Sequence, residues 1–157
     1  MITIRPARFE DSPILFRWRN DPQTRAASGT RDELDWPDHD AWVARALADD
    51  HRRLYIAERD DDGSIVPVGM CRFDLSVRGD EAEISINLNP AERGKGLGGA
   101  ILAAGIAAFR ADVRPVNALR ATIRPENRAS VRLFERSGFE RSGGDGEFDY
   151  YARAVSA

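Results

Sequence analysis

Apolar and polar residues recur along the chain with two different periods, one typical of helices and one typical of strands. Residues 2–5 alternate and predict a first strand, whereas residues 12–20 place their apolar side chains on one helical face. Residues 22–35 are polar and aperiodic, which predicts a loop with about one helical turn. A second amphipathic helix is predicted over residues 37–48.

The rest of the chain is predicted to be mostly β-structure around one strongly apolar helix. The Arg78-Gly79 pair predicts a hairpin between two strands, and Gly138 predicts the end of the last helix. The predicted strands cover residues 54–57, 68–77, 82–88, 119–123 and 148–152, and the predicted helices cover residues 98–110 and 128–136. The order β-α-α-β-β-β-α-β-α-β indicates one α+β domain over residues 1–157.

Composition is that of an ordinary globular domain. The chain has 157 residues, 42% hydrophobic and 31% charged, so one hydrophobic core is expected. The first residues, MITIRPARFEDS, carry charges at once, and no apolar run approaches the roughly 18 residues of a membrane helix. We therefore expect a cytoplasmic protein with no membrane partner. The single Cys71 cannot form an internal disulfide, and no Cys/His cluster predicts a metal site.

The charge distribution bears on the kind of ligand. A net charge of −3 argues against a nucleic-acid partner. Residues 110–136 nevertheless carry seven Arg against three acidic residues. Such a stretch suits a ligand with several phosphates, and it equally suits a solvated protein face.

A glycine-rich loop separates the strand at residues 82–88 from the apolar helix that follows. Its sequence is Arg93-Gly94-Lys95-Gly96-Leu97-Gly98-Gly99. Glycines let a backbone approach a ligand closely, and the unpaired N–H groups of a first helical turn attract anions. The loop therefore predicts a site for a pyrophosphate, although glycines are also common in turns that hold no ligand.

Two familiar phosphate-binding motifs fit this loop poorly. A Walker A loop needs Ser or Thr after its Gly-Lys pair, but Gly96 follows Lys95, and Asn89 replaces the earlier glycine. The spacing of Gly94, Gly96 and Gly99 formally matches a dinucleotide fingerprint. That motif needs an acidic residue about 20 positions further on, at the end of a second parallel strand, where this chain has Arg124-Pro125.

A third motif fits better. Arg93-x-x-Gly96-x-Gly98 resembles the coenzyme A motif of the GNAT superfamily of N-acetyltransferases, and RPENRASVRLFERSGF resembles its second signature. The resemblance is strong over residues 82–139 and looser over the whole element order. It implies a bacterial-type acetyltransferase with a single GNAT domain that uses acetyl-CoA as co-substrate and needs no metal. It also implies a mixed, mostly antiparallel sheet of six to seven strands, splayed between strands 4 and 5, with about four helices.

The resemblance also assigns residues to the coenzyme. Leu88 would offer backbone groups to the pantetheine arm, and Arg93 and Lys95 would flank the pyrophosphate. Asn127 matches the family asparagine near the pantetheine, while its position equally suits a helix N-cap, and Ser130 could bond either the coenzyme or the first helical turn. The expected coenzyme-binding residues are Leu88, Arg93, Gly94, Lys95, Gly96, Gly98, Gly99, Asn127, Ser130 and Phe134.

Acetyl transfer needs a base for the amine and an acid for the thiolate that leaves. Glu83 occupies the position of the glutamate that many relatives use as base, with Asp74 in reserve; an exposed, inactive carboxylate is the alternative. The family often has a Tyr as acid where this chain has Phe134, which carries no such proton. Tyr150, or else Tyr151, is the expected substitute; departure of the thiolate without an acid is the alternative.

The N-terminal half bears on the acceptor. The run WRND, followed by Trp36, His39 and Trp42, resembles GNAT enzymes that acetylate UDP-linked amino-sugars in the pseudaminic acid pathway. Enzymes that acetylate N-terminal amines of ribosomal proteins are also similar, and a coenzyme A-binding module with little turnover is a further alternative. We expect a small amine as partner, core positions for the two tryptophans and a surface or capping position for His39. Such proteins often form homodimers.

Overall fold

The computed structural model describes residues 1–113 and 115–155. One seven-stranded sheet runs through the molecule in the order β1-β2-β3-β4-β5-β7-β6. Its strands are β1 Ile2–Pro6, β2 Arg52–Asp61, β3 Ser64–Leu75, β4 Glu81–Leu88, β5 Ala118–Ile123, β6 Glu140–Gly144 and β7 Asp149–Ala154. The helices are α1 Ser12–Asn20, α2 Pro22–Ala27, α3 Trp36–Ala48, α4 Gly98–Asp112 and α5 Arg128–Arg136.

The sheet is antiparallel except where β4 meets β5. These two strands pair in parallel at only three positions, Glu81 with Ala118, Ala82 with Leu119 and Glu83 with Arg120. β4 continues to Leu88 and β5 to Ile123 without pairing with each other. The two strands therefore splay apart toward their carboxyl ends, which confirms the fold expected from the sequence.

Helices α4 and α5 cover one face of the sheet. The α4 helix buries an apolar side against β3, where Phe109 stacks on Phe73 with ring centroids 4.2 Å apart. Gly105 lets this helix come close, since a Cβ there would lie 2.7 Å from the Cys71 sulfur. This packing fixes the first turn of α4 at the open end of the splay.

Helices α1 and α3 cover the opposite face. Leu15 and Trp18 of α1 and Val43 of α3 pack on Ile56 and Met70 of the sheet. On β4 the apolar residues Ala82 and Ile84 are buried toward α4, so Glu83 and the alternate residues after it face the α1 side. We call the sheet face that α1 and α3 cover the α1 face.

Two elements were absent from the predicted order, although α2 lies in the segment that was predicted to be a loop with about one helical turn. Strand β6 has the sequence ERSGG with no buried residue, so no hydrophobic alternation marks it, and it forms by pairing with β7. The helix α2 buries no residue either, and its start depends on a local cap in which Asp21 accepts a bond from the Thr24 N–H. Prediction from periodicity misses such elements because neither contributes to the core.

Within the described residues, no helix has both the length and the apolar character needed to cross a membrane. The same residues contain no cluster of His, Cys, Asp or Glu side chains arranged to bind a metal ion.

Candidate functional site

The glycine-rich loop lies at the open end of the gap between β4 and β5. After a short 3-10 turn over residues 90–92, the chain adopts left-handed backbone at Gly94 (φ 78°) and Gly96 (φ 72°). Residues with a Cβ rarely adopt this conformation, so the path of the loop depends on these two glycines. Gly98 packs against Leu133 of α5, with a Cβ position 3.3 Å from a leucine methyl group.

The loop presents a continuous run of unpaired backbone donors. Within the described residues, the N–H groups of residues 94–100 donate to no protein acceptor, and the α4 ladder starts with Ile101 N–H bonding Leu97 O at 3.0 Å. The positive end of the α4 dipole adds to the attraction of these groups for negative charge. The loop thus has the donors and the backbone shape of a phosphate-binding site.

The two basic side chains of the loop are paired with protein carboxylates. Arg93 donates to Asp21 Oδ2 at 2.6 Å and to Thr24 Oγ1 at 2.7 Å, and this bonding lowers the pKa of Asp21. Lys95 donates to Glu92 Oε2 at 2.9 Å, which together with an Arg59 contact lowers the pKa of Glu92. Both side chains are therefore partly neutralised by protein carboxylates, whereas the backbone donors of the loop have no protein partner. Contact of Arg93 and Lys95 with a pyrophosphate stays a prediction.

Of the two glutamates on the α1 face of β4, Glu83 has no hydrogen-bond or ion-pair partner among the described residues, whereas Glu81 binds Arg120. Glu83 is exposed and lies where β4 and β5 stop pairing. The reserve candidate, Asp74, lies directly across from it on β3 but is bound by Arg52 at 3.2 Å and Arg72 at 3.1 Å. The two ion pairs leave Asp74 less accessible to an incoming amine than the exposed Glu83, so the geometry favours Glu83 over Asp74.

Tyr150 lies on the same face as Glu83. In the sheet, Tyr150 lies opposite Thr122 of β5. Thr122 is two residues after Arg120, which lies opposite Glu83 of β4. The Tyr150 hydroxyl donates to Asp145 Oδ2 at 2.6 Å, and this bond, with the negative charge of Glu83 adding to it, raises the pKa of Tyr150. Tyr151 points to the opposite side and is buried in the core. Of the two tyrosines, only Tyr150 is exposed on the sheet face that carries Glu83.

Comparison with known proteins identifies the domain. Residues 1–140 match the family model described as an acetyltransferase (GNAT) domain. The chain belongs to the GNAT acetyltransferase family. Among curated proteins, no sequence matches it significantly.

Solved structures share the fold of this GNAT domain. A domain from Methanocaldococcus jannaschii DSM 2661 is 22% identical with a TM-score of 0.85, and the match covers 99% of each chain. The aminoglycoside acetyltransferase AAC(6')-Ib, solved with coenzyme A, is 21% identical with a TM-score of 0.80 over 98% of this chain and 95% of that one. A spermidine N-acetyltransferase from Vibrio cholerae, solved with CoA and spermine, is 15% identical with a TM-score of 0.83 over the same shares.

The second signature of the GNAT domain forms the start of α5. Asn127 caps this helix, since its Oδ1 accepts the Ser130 N–H at 3.3 Å and its Nδ2 donates to Ser130 Oγ at 3.0 Å. The expected capping role is therefore confirmed, and contact of either residue with the coenzyme stays a prediction. Phe134 is 3% exposed and packs edge-on against Phe139. It is a core residue, and its contact with the coenzyme stays a prediction.

The burial of Trp36, His39 and Trp42 differs from what the sequence predicts. Trp36 is 41% exposed, so its expected core position is wrong, and Trp42 is half-buried. His39 is 1% exposed, so its expected surface or capping position is also wrong. It shares the buried face of α3 with Val43 and Ala46. That i, i+4, i+7 spacing was visible in the sequence and is the signal that locates this histidine.

Sequence reasoning missed Arg124, which ties two loops to the end of β5. Its guanidinium donates to Ser28 O at 2.8 Å and to Glu147 Oε1 at 3.2 Å, and it stacks over Phe148 at 4.4 Å. The residue is 4% exposed. Together with Arg93, it anchors the segment around α2 beside the gap. No sequence signal distinguishes it from the other arginines of residues 110–136.

Proposed function

We propose that this GNAT domain transfers an acetyl group from acetyl-CoA to a primary amine. One observation carries the proposal: pairing between β4 and β5 stops after Glu83 and Arg120, and unpaired N–H groups of residues 94–100 lie at the open end. An extended thiol-bearing arm fits along the unpaired edge of β4 near Leu88, while the donors fit a pyrophosphate. Coenzyme A in the aminoglycoside and spermidine enzymes of the same fold supports this assignment.

The chemistry assigns two proton transfers to the residues of the gap. The acceptor's ammonium group must lose a proton before its nitrogen can attack, and the unpaired Glu83 carboxylate takes that proton. The new N–C bond forms as the C–S bond breaks, and the electron pair leaves on the sulfur. The nitrogen loses its second proton to solvent as the amide forms. Tyr150 is the proposed donor of the proton to that sulfur, because its exposed hydroxyl lies on the same face as Glu83; it must leave its bond to Asp145 to do so.

Thiol release from acetyl-CoA tests the proposal directly. The panel of acceptors should include UDP-linked amino-sugars, polyamines, amino acids and peptide N-termini. We expect release that depends on both acetyl-CoA and one class of amine, with the acetylated amine identified by mass spectrometry. If the protein binds acetyl-CoA but no acceptor of the panel gives thiol release, the proposed reaction is contradicted.

For the acceptor we favour a nucleotide-linked amino-sugar over the N-terminal amine of a ribosomal protein. The Trp-x-x-His-x-x-Trp segment supports this choice, because Trp36 leaves 41% of its surface exposed on α3, where a sugar ring could stack. Faster acetylation of peptide N-termini than of UDP-linked amino-sugars would reverse this choice.

A coenzyme A-binding module without turnover is the second candidate. Phe134 motivates it, because a buried phenyl ring occupies the position where many relatives place the acidic tyrosine. This candidate predicts that acetyl-CoA raises the Tm, that no amine gives thiol release and that Glu83→Gln changes nothing.

A further inference from the structure

Three arginine side chains surround the half-buried Trp42 on the α1 face of the sheet. The guanidinium carbons of Arg19, Arg72 and Arg52 lie 4.2, 5.5 and 6.0 Å from the centre of the indole ring. We call Arg19, Arg52 and Arg72 the arginine cluster. Nothing in the proposed acetyl transfer described so far uses this positive charge.

The cluster carries more positive charge than its neighbours neutralise. The Asp74 carboxylate is shared by Arg52 and Arg72, and Arg52 also forms an ion pair with Asp49 at 3.7 Å. Arg19 forms no ion pair with any described carboxylate and instead donates to the His39 ring at Nδ1, 3.0 Å away. Three guanidinium groups therefore face two carboxylates, which leaves one positive charge in excess.

His39 does not offset this charge either. Arginine can only donate, so the His39 Nδ1 that receives its bond carries no proton, and the opposite ring nitrogen donates to Ser12 O at 2.9 Å. Burial lowers the pKa of His39, and the neutral ring follows. Burial and the nearby charge of Arg72 lower the pKa of Arg19 to about 10, so it remains charged at neutral pH. Arg19 is thus a half-buried cation stabilised by the His39 and Trp42 rings rather than by a counter-ion, and a bound anion would stabilise it further.

The cluster adjoins the proposed catalytic base. Arg72 lies across from Ser85 of β4, and its Nη2 is 3.5 Å from the Ser85 hydroxyl. Ser85 and Glu83 are two positions apart on the same face of β4, a separation of about 7 Å along a strand. An amine at Glu83 and a negative group at the cluster would therefore fit within one small molecule.

We propose that the acceptor carries an anionic oxygen group, a carboxylate or a phosphate, which the arginine cluster binds while the amine lies at Glu83. The planar guanidinium groups suit either group through paired hydrogen bonds. Polyamines and other purely cationic amines are disfavoured by the same charge. This inference rests on the proposed acetyl transfer and narrows its substrate class.

Matched acceptor pairs test the inference at saturating acetyl-CoA. Phosphoethanolamine is compared with ethanolamine, an amino acid with its amide, and a UDP-linked amino-sugar with the free amino-sugar. We expect kcat/KM to be at least about tenfold higher for the anionic member of one or more pairs, which also distinguishes phosphate from carboxylate. Preference for the uncharged or cationic member in every pair overturns the acceptor class and leaves the acetyl transfer standing. No thiol release with any acceptor overturns both.

Variants then attribute the preference to the cluster. Arg72→Gln and Arg19→Gln should each raise KM for the anionic acceptor by about tenfold or more while KM for acetyl-CoA stays unchanged. Arg17→Gln, on the exposed side of the same α1 helix, is the matched control and should change neither constant. Because Arg19 packs on Trp42, Arg19→Gln can unfold the protein. The Tm of each variant is therefore measured, and Arg72→Gln tests the cluster independently. Equal losses for both members of an acceptor pair indicate a structural role only and overturn the assignment.

Discussion

At the scale of single residues, the site is distinguished by which charged groups have partners. Asp74 and Glu83 lie opposite each other on the neighbouring strands β3 and β4. Two arginines bind Asp74, so only Glu83 is available for proton transfer. The same contrast applies to Arg19, whose charge has no described carboxylate beside it. Catalytic and binding groups are expected to differ from structural ones in this way.

Replacement of Glu83 by Gln tests its role as base. We expect kcat to fall by about 10²- to 10⁴-fold, because the amide cannot take the amine's proton, while KM for acetyl-CoA stays the same. Glu81→Gln is the matched control, since Glu81 lies two residues earlier on the same strand and pairs with Arg120 at 2.6 Å. A similar kcat in both variants, measured by thiol release, would remove Glu83 from the mechanism.

His39 should make stability depend on pH near neutrality. Its pKa is lowered from 6.5 in the folded protein, so below about pH 6.5 the unfolded chain takes up a proton that the folded protein does not. The His39 contribution to the free energy of unfolding is therefore complete above that pH and is lost as the pH falls.

Urea denaturation between pH 5 and pH 7 measures this effect. His39→Gln should flatten the dependence of the unfolding free energy on pH, whereas His51→Gln, at an exposed position, should leave it unchanged. An unaltered slope in His39→Gln would show that this ring does not control the transition.

At the scale of elements, two arginines hold the segment around α2 beside the gap. Arg93 binds the cap of α2, and Arg124 binds the carbonyls that follow the helix. Periodicity in the sequence located the helices and strands that build the core, but α2 and β6 bury no residue and gave no such signal. Their positions depend on contacts with residues distant in sequence, which a local pattern does not contain.

Loss of the Arg124 side chain should loosen both loops that it joins. In Arg124→Met the carbonyl of Ser28 loses its partner, so we expect the unfolding free energy to fall by about 1–3 kcal/mol. Hydrogen exchange should accelerate at residues 28–30 and 145–148. Arg31→Met, which breaks an exposed pair with Glu126, is the control and should cost less than about 1 kcal/mol. Unchanged exchange in both segments of Arg124→Met would contradict the role of this arginine.

At the scale of the whole molecule, the site exists because the sheet opens where the chain enters α4. The glycine loop and the second signature were recognisable in the sequence because both depend on local spacing. The pairing of Arg93 and Lys95 with carboxylates, and the grouping of arginines around Trp42, arise from contacts between distant segments. Those features define the charge of the site and became visible only in the folded structure.

Calorimetric titration of acetyl-CoA into glycine variants tests the central claim most directly. Gly96 and Gly79 have nearly the same φ, 72° and 73°, and neither has an atom within 4 Å of its Cβ position. Gly96→Glu and Gly79→Glu should therefore strain the chain equally, but only the first places a negative charge and a side chain at the unpaired N–H groups. We expect the wild-type protein and Gly79→Glu to bind acetyl-CoA with similar Kd and Gly96→Glu to show no binding. Equal affinity in all three proteins would contradict a coenzyme site at this loop.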